Sequence, residues 1–207
     1  MYTQQLNLLT QKGQELLNPA FRFHPADQEL LNKLIAYFLR DEEQVSKYQI
    51  SLRKGLLLTG PVGCGKTSIM TLLRLLLPQQ QRHNIKSCRE VAFEFEKEGH
   101  QVINKYSGES FASSYPIHYD PRKPSTYCFD DLGTENSIKH FGTECNVMGE
   151  ILLSRYDYFI SNRMFTHATT NLSATELETL YGNRVRSRMR EMFNLISFPA
   201  TTADKRA

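Results

Sequence analysis

The feature that most constrains the fold of this chain is a glycine-rich octapeptide at residues 60–67, Gly-Pro-Val-Gly-Cys-Gly-Lys-Thr. It matches in full the pattern Gly-x4-Gly-Lys-[Ser/Thr], with an apolar run before it and a helical pattern after it, as that pattern requires. Backbone N–H groups can converge on a phosphate only where the chain curls tightly, and glycines allow this because they lack a Cβ. A chance match in a structural turn is the alternative, which the flanking elements disfavour. The octapeptide therefore predicts a phosphate-binding loop.

The charges of a bound nucleoside triphosphate and its metal ion predict a role for individual residues of this loop. Lys66 is predicted to bridge the β- and γ-phosphates of ATP, and the hydroxyl of Thr67 is predicted to hold Mg²⁺. The amino-terminal end of the following helix adds a positive partial charge. The residues predicted to bind the nucleotide are Gly60, Pro61, Val62, Gly63, Cys64, Gly65, Lys66, Thr67 and Ser68.

Length, charge, cysteine spacing and apolar stretches limit the classes of protein to which this chain can belong. A chain of 207 residues is long enough for one α/β domain, and a net charge of +3 permits a nucleic-acid partner without requiring one. The four cysteines lack Cys-x-x-Cys spacing, which argues against a structural zinc site and a disulfide framework. The longest apolar stretch, residues 69–77, is too short for a membrane helix, and the amino-terminal residues have no signal-peptide core. These features predict a soluble, cytoplasmic protein that has no membrane partner and keeps reduced thiols.

Apolar periodicity predicts strands alternating with helices along one chain. The predicted helices cover residues 27–48, 66–77, a segment after Cys88, 144–160, a segment opened by the capping box Ser173-Ala-Thr-Glu176, and 183–192. The predicted strands cover residues 55–59, 85–88, 126–129, 165–169 and 195–198, and the proline-containing residues 107–125 are predicted to form a surface loop. Strands alternating with helices predict an α/β fold in which helices cover both faces of a parallel sheet. No composition break indicates a second domain.

Two carboxylates end the second apolar strand, within Tyr-Cys-Phe-Asp-Asp-Leu-Gly at residues 127–133. Asp130 is predicted to support Mg²⁺, which prefers hard oxygen ligands, and Asp131 is predicted to orient and polarise an attacking water. A solvated aspartate pair in a turn before Gly133 is the alternative. Asn171 ends the next strand and is a candidate for positioning that water or contacting the γ-phosphate, although Asn is also common at turns and helix starts.

Four arginines alternate along the last predicted helix, and helical geometry separates them into two edges. At 100° per residue, Arg184 and Arg188 lie within about 40° of each other, while Arg186 and Arg190 lie together on nearly the opposite side. An apolar stripe of Val185, Met189 and Met192 lies between the edges and is predicted to pack on the sheet. One pair is a candidate for the γ-phosphate of a neighbouring subunit, and the other for solvent or a nucleic-acid backbone. A solvated basic face is the alternative.

The order Gly-Pro-Val-Gly-Cys-Gly-Lys-Thr, Asp-Asp-Leu-Gly-x-Glu, Thr-Thr-Asn-Leu and Gly-Asn-Arg-Val-x-Ser-Arg-Met resembles AAA+ ATPases of the DnaC/IstB type, over roughly residues 50–200. That group contains bacterial helicase loaders and helpers of DNA transposition. The resemblance implies a five-stranded ASCE-type P-loop NTPase sheet. It also implies that Asn171 is the sensor-1 residue, that Arg188 is the arginine finger and that Arg184 is a second family arginine. Asp131 stands where many AAA+ proteins carry Glu, and its carboxylate is one methylene shorter, which predicts slow turnover.

The resemblance also implies a function and a domain layout. The implied function is an ATPase that forms a homo-oligomer with arginine fingers in trans and acts on DNA with a helicase or transposase partner. We expect one AAA+ ATPase domain over residues 1–207, with residues 51–200 as its core and no C-terminal helical lid domain. Residues 1–50 are expected to form an N-terminal helical segment that completes the nucleotide site, with Phe21 and Phe23 lining the adenine. The tail Asp204-Lys-Arg206 is similar to the arginine-containing tail of the family.

Two other functions stay open on the same loop. A nucleotide-gated scaffold would bind ATP and hydrolyse little of it, which the short carboxylate of Asp131 permits. A small-molecule kinase would need an acceptor pocket with lid arginines between the loop and the acidic strand, but residues 85–125 carry only Arg89 and Arg122.

Overall fold

The computed structural model of the chain describes residues 1–111, 124–135, 138–140 and 143–205. It contains two compact units. The first, which we call the helical unit, comprises Met1–Arg53, Gly60–Arg82 and Ile196–Ala207. The second, which we call the sheet unit, comprises Lys54–Thr59 and His83–Leu195.

The regular elements alternate as the periodicity predicts. The helices are α1 (Thr3–Leu16), α2 (Gln28–Leu39), α3 (Glu42–Lys47), α4 (Lys66–Leu73), α5 (Cys88–Glu98), α6 (Gln101–Tyr106), α7 (Val147–Asn162) and α8 (Ala174–Met192). The strands are β1 (Gly55–Thr59), β2 (Asn84–Ser87), β3 (Tyr127–Leu132), β4 (Ile138–His140), β5 (Thr143–Cys145), β6 (Thr166–Thr170) and β7 (Phe193–Ser197).

The main sheet has five strands in the order β2-β3-β6-β1-β7, and β4 and β5 form a separate antiparallel pair. The pairs β2–β3, β3–β6 and β1–β6 are parallel. This confirms the predicted fold class, an α/β P-loop fold built on a five-stranded parallel sheet. Because β3 and β6 are parallel neighbours, the polar residues that follow their apolar segments meet at one edge of the sheet, where ligands bind in open α/β sheets.

The core of the sheet unit is formed by apolar side chains from the strands and from the helices that pack on them. Phe129 and Ala168 contribute from β3 and β6, and both are fully buried. The predicted stripe of Val185, Met189 and Met192 on α8 belongs to this core, as expected. Burial of this stripe fixes which edges of α8 face outward, and therefore where the arginines lie.

The core of the helical unit lies where α1 and α2 pack against α4. Leu9 of α1, Leu34 and Ile35 of α2, and Met70 of α4 are fully buried. The predicted helix at residues 27–48 is in fact two helices. Arg40 adopts a left-handed conformation after α2, and the side chain of Asp41 caps α3.

Other boundaries also differ from the predictions. Helix α4 ends at Leu73 and continues as a short 3-10 turn, Arg74–Leu76, while β3 runs on through both aspartates to Leu132. Helix α7 starts at Val147, where Asn146 caps it, because the residues before it belong to β5. The predicted loop at residues 107–125 begins with a 3-10 turn, Gly108–Phe111. Its residues 112–123, including the predicted Pro116, Pro121 and Arg122, lie outside the described residues.

The two last predicted helices form one element, α8, with a break. The capping box of Ser173 and Glu176 is present at its start, and Gly182 has non-helical dihedral angles inside it. The break separates the segment opened by the capping box from the predicted arginine helix at residues 183–192. None of the described helices combines the length and apolarity that crossing a bilayer requires.

Candidate nucleotide and catalytic site

The predicted phosphate loop follows β1 directly and leads into α4, so the chain has the strand, loop and helix order that the octapeptide requires. Gly63 and Gly65 have φ angles of 78° and 98°, in the left-handed region that side chains other than glycine rarely adopt. A Cβ at Gly65 would have no atom nearer than Lys205 Cδ, 4.0 Å away. The loop therefore curls as a phosphate cradle does, with room beside Gly65.

The side chain of Lys66 is folded into this curl and is only 5% exposed. Its Nζ donates to the carbonyl oxygens of Gly60 and Pro61, both at 2.8 Å. A buried ammonium group is stabilised by an anion, and the start of α4 presents backbone N–H groups to the same curl. Thr67 lies exposed on the first turn of α4 and offers a hydroxyl oxygen of the kind that Mg²⁺ accepts. The residues present thus fit a nucleotide polyphosphate and its metal ion.

The C-terminal tail contacts the phosphate loop within the helical unit. The backbone N–H of Lys205 donates to Gly63 O at 3.0 Å, and its Nζ donates to Cys64 O at 2.8 Å. The same Nζ forms an ion pair with the carboxylate of Asp27, which is 4% exposed. Gly63 also lacks space for a side chain, because a Cβ there would lie 2.1 Å from the carboxyl carbon of Asp204. Arg206, the arginine of the predicted tail motif, lies outside the described residues.

The two aspartates at the end of β3 are joined by a threonine of β6. The Thr169 hydroxyl donates to Asp130 Oδ1 at 2.7 Å and accepts from the backbone N–H of Asp131 at 2.9 Å. Asp130 is 8% exposed, so its carboxylate is held in one orientation at the sheet edge. Thr169 is fully buried. Sequence reasoning singled out the aspartates and missed the hydroxyl that fixes their geometry.

Asp131 has an unusual backbone conformation. Its φ of 58° lies in the left-handed region, and the pairing of β3 with β6 shifts register between Phe129 and Leu132. Such a conformation costs a non-glycine residue roughly 1 kcal/mol or more, and strain of this kind is concentrated at functional sites. The register shift makes the two neighbouring aspartates inequivalent, which suits the two different roles predicted for them.

Asn171 lies at the carboxyl end of β6 and is exposed. The residue before it, Thr170, donates its hydroxyl to Leu132 O at 2.7 Å and accepts from the N–H of Leu172 at 3.0 Å. The first bond ties the end of β6 to the end of β3, and the second closes a local turn around Asn171. Within the sheet unit, the structure therefore places Asp130, Asp131 and Asn171 at one strand edge; their catalytic roles stay predictions.

Glu135 is a buried acid close to this edge. It belongs to the sequence motif that follows β3, but the sequence alone predicts no role for it. One carboxylate oxygen accepts from the backbone N–H of Gly133 at 2.9 Å, and the other accepts from the hydroxyl of Tyr181. Burial raises the pKa of Glu135 above its ordinary value. Since Tyr181 immediately precedes the break at Gly182, these bonds connect the turn after β3 to the start of the arginine helix.

The arginines of α8 lie as the helical geometry predicts. Arg184 and Arg188, together with Asn183 and Ser187, line a shallow depression open to solvent. Arg190 is exposed, and Lys54 Nζ donates to its backbone oxygen at 2.9 Å. The depression is wide open and cationic, which is the form expected of a surface that receives an anion from another molecule. Sequence reasoning did not single out Tyr156, although its ring lies against Arg188.

Comparison with known proteins agrees with this architecture. No protein-family model and no curated protein matches the chain. Among solved structures, the fold is similar to that of the DnaC helicase loader (TM-score 0.56, 17% identity, 88% of this chain and 96% of that chain covered). It is also similar to DnaI (TM-score 0.53, 18% identity, 88% and 90% covered). A third similar structure is domain III of the Thermotoga maritima replication initiation protein DnaA (TM-score 0.51, 15% identity, 86% and 65% covered).

The fold is therefore that of an AAA+ P-loop domain. More narrowly, it is a DnaC-like AAA+ fold, as the order of motifs predicted. At sequence identities of 15–18%, the structural similarity establishes the fold and neither an activity nor a partner.

Proposed function

We propose that this chain binds ATP with Mg²⁺ at residues 60–67 and hydrolyses it as a subunit of a homo-oligomer. The observation that carries the proposal is the phosphate loop, in which a buried Lys66 lies inside a curl built on two left-handed glycines. A backbone of this shape converges N–H groups on a single point, which is the requirement for holding a polyphosphate. The loop amides and Lys66 bind the phosphates. Thr67 and Asp130 are the residues that would hold Mg²⁺, which would supply positive charge against the phosphates.

The hydrolytic step falls to the residues at the strand edge. In the proposed mechanism, Asp131 accepts a hydrogen bond from the attacking water and orients it, and Asn171 holds the same water or the γ-phosphate. Arg188, with Arg184 beside it, stabilises the charge on the γ-phosphate bound by a neighbouring subunit. An arginine supplied in this way can raise turnover by about 10³- to 10⁵-fold. Slow turnover by the isolated subunit is therefore expected.

We further propose that the ATPase acts on DNA, as a loader or helper for a helicase or a transposase in replication or transposition. Support comes from the sequence motifs of the DnaC/IstB type and from the fold shared with a helicase loader and a replication initiation protein. The edge of α8 that carries Arg186 and the exposed Arg190 is the candidate surface for the DNA backbone, since phosphates are bound largely by Arg and Lys.

One other function is favoured by a specific observation. The carboxylate of Asp131 is short and its backbone is strained, so a scaffold that binds ATP and hydrolyses hardly any of it is the second candidate. The kinase alternative has no such support. Its lid would need free arginines, but Arg89 stacks over the ring of Phe93 at 5.4 Å, and Arg122 lies outside the described residues.

The deciding experiment measures ATP turnover per subunit against protein concentration, with and without single- and double-stranded DNA, using Lys66→Ala as the blank. We expect the specific rate to rise with concentration and again with DNA, and ATP binding to be lost in Lys66→Ala. ATP binding with turnover at the level of the blank would favour the scaffold. Phosphoryl transfer to a nucleoside or metabolite would favour the kinase, and absence of ATP binding would refute the proposal.

A further inference from the structure

Arg188 is held by two side chains that nothing in the motif pattern singles out, Tyr156 of α7 and Glu191 of α8. The guanidinium carbon of Arg188 lies 4.4 Å from the centroid of the Tyr156 ring. Arg188 Nη1 donates to the Tyr156 hydroxyl at 3.3 Å, and the same hydroxyl donates to Glu191 Oε2 at 2.7 Å. The three side chains form a closed cluster on the surface where α7 and α8 pack together.

The geometry of this cluster separates the face of the guanidinium group from its edge. A guanidinium ion stacks through its planar face, while it binds phosphate through the N–H groups along its edge, often two at a time. A ring beneath the face therefore holds the plane of Arg188 without consuming all the donors that a phosphate needs. The contact to Glu191 is long, with Nη1 and Oε1 3.5 Å apart, and 38% of the Arg188 side chain stays exposed.

Glu191 acts mainly on the tyrosine in this arrangement. Its short bond from the Tyr156 hydroxyl fixes the tilt of the ring, and that bond raises the pKa of Tyr156, so the phenol stays protonated as a donor. No ring lies under Arg184 in the part of the chain that the structure describes. Of the two arginines in the depression, only Arg188 therefore has a built support, and a pre-oriented side chain loses less conformational freedom when it binds.

We propose that Tyr156 is a positioning residue that holds Arg188 in the orientation in which it reaches a γ-phosphate bound by the neighbouring subunit. The proposal deepens the proposed function and rests on Arg188 acting in trans. It assigns Tyr156 to the subunit that donates the arginine. A residue with a purely structural role would instead matter equally in both subunits of the interface.

A complementation experiment tests this asymmetry. Lys66→Ala cannot use its own nucleotide but carries an intact Arg188, so it serves as the donor; Arg188→Ala has an intact phosphate loop and serves as the acceptor. Each is inactive alone, and their mixture is expected to hydrolyse ATP, because the interface between them pairs an intact arginine with an occupied site. Tyr156→Leu is then introduced into the donor or into the acceptor, and turnover of each mixture is measured against total protein.

The expected result is a loss confined to the donor. Removing a half-exposed arginine–aromatic stack should lower turnover of the mixture by about 3- to 20-fold, while the same change in the acceptor should alter it by less than about twofold. Tyr156→Phe keeps the ring and should retain most of the rate in either position. Tyr156→Met removes the ring at similar volume and replaces Tyr156→Leu if that variant fails to fold. Tyr158→Leu on the same helix is the matched control and should show no donor–acceptor asymmetry.

The other outcomes separate the two proposals. Equal losses from Tyr156→Leu in donor and acceptor, or no loss in the donor, would overturn the positioning role while leaving the trans arginine intact. Two results together would overturn the trans mechanism itself, and the role of Tyr156 with it. The first is that Lys66→Ala and Arg188→Ala, both with Tyr156 intact, fail to complement each other. The second is that Arg188→Ala turns over ATP as fast as the unmodified protein.

Discussion

At the residue scale, the hydroxyl of Thr169 joins the two aspartates to which the predicted chemistry is assigned. Val matches Thr in shape but can neither donate to Asp130 nor accept from the N–H of Asp131. We expect Thr169→Val to lower ATP turnover by about 10- to 100-fold, corresponding to the roughly 1.5–3 kcal/mol attached to hydrogen bonds with charged groups. ATP binding, which depends on the loop, should change by less than about threefold.

The matched control for this change is Thr170→Val, on the same strand. Thr170 is equally buried and makes two hydrogen bonds, but to the backbone around Leu132 and Leu172 and to neither aspartate. Both variants should lose stability in urea denaturation, by about 1–2 kcal/mol each. Only Thr169→Val should lose turnover beyond what its stability explains. Equal turnover of the two variants would remove Thr169 from the catalytic site.

Glu135 gives a pH dependence whose sign can be worked out. Burial raises the pKa of Glu135, so the folded state keeps this proton over a pH range in which the unfolded state has released it. The unfolded state then binds fewer protons, so the free energy of unfolding falls as pH rises through that range and is level above it. Glu135→Gln cannot titrate, and its amide can still accept from Gly133 and donate to Tyr181.

The measurement is the difference in unfolding free energy between the unmodified protein and Glu135→Gln, taken by urea denaturation from pH 4 upward. We expect Glu135→Gln to gain stability relative to the unmodified protein as pH rises from the ordinary pKa of glutamate to the raised pKa of Glu135. Glu178→Gln, on the exposed face of α8, the helix that carries Tyr181, is the control for removing one negative charge. A difference that does not vary with pH would mean that the carboxylate is solvated in solution.

The residues of the candidate site differ in how well the sequence alone predicts their roles. The phosphate loop and the aspartate pair are contiguous patterns, so their positions follow from the octapeptide and from an apolar run ending in carboxylates. Thr169 and Tyr156 act across elements distant in sequence, and their side chains carry no motif. A threonine in a strand and a tyrosine in a helix predict packing as readily as function, so only the pairing of β3 with β6, and of α7 with α8, reveals them.

At the scale of elements, the same distinction explains which parts of the fold the sequence predicts. The apolar runs of β1 and β3 are buried in the sheet, so composition identifies them, whereas β6 is fully buried although four of its five residues are polar. Periodicity does not give the bounds of α1 within the predicted N-terminal helical segment, because this helix is rich in glutamine and its only fully buried leucine is Leu9. The pair β4–β5 was missed because each strand is three residues long, too short for alternation to be recognised.

A single side chain of α7, Arg155, ties this helix to the elements around it. Arg155 is fully buried and donates to Tyr106 O at 2.7 Å, Phe165 O at 2.8 Å, Ser125 O at 3.2 Å and Thr166 Oγ1 at 2.7 Å. These atoms belong to the end of α6 and to the starts of β3 and β6 or the residues just before them. Burial lowers the pKa of Arg155 to about 9, which leaves it charged at neutral pH. One cation therefore satisfies four polar atoms at the edge of the sheet opposite the predicted catalytic residues.

We expect Arg155→Met to lower the free energy of unfolding by about 3–5 kcal/mol, because it leaves several buried carbonyl groups without a donor. Arg155→Lys should recover only part of this loss, since an ammonium group cannot reach four acceptors in one plane. Urea denaturation measures both, with the exposed Arg163→Met as control. A loss of less than about 1 kcal/mol in Arg155→Met would show that water replaces the arginine readily.

At the scale of the whole molecule, we propose separate tasks for the arginines on the two edges of α8. Arg188 faces the depression proposed to receive the γ-phosphate of a neighbouring subunit, and Arg190 lies exposed beside Lys54. If the second edge binds the DNA backbone, each arginine that contacts a phosphate contributes to the release of counterions. Arg190→Gln should then reduce the magnitude of the slope of log K against log salt by about one. It should also weaken the binding of single- or double-stranded DNA without regard to sequence.

Fluorescence anisotropy with labelled DNA over a series of salt concentrations measures that slope. Arg163→Gln removes an exposed arginine from the end of α7 and should leave the slope unchanged. The sharper comparison is with Arg188→Ala, which should keep the salt dependence of DNA binding and lose turnover at high protein concentration. Arg190→Gln should instead lose part of the salt dependence of DNA binding and keep the turnover measured without DNA. If both variants lost both properties, α8 would be a single interface, and assembly and DNA binding would be the same event.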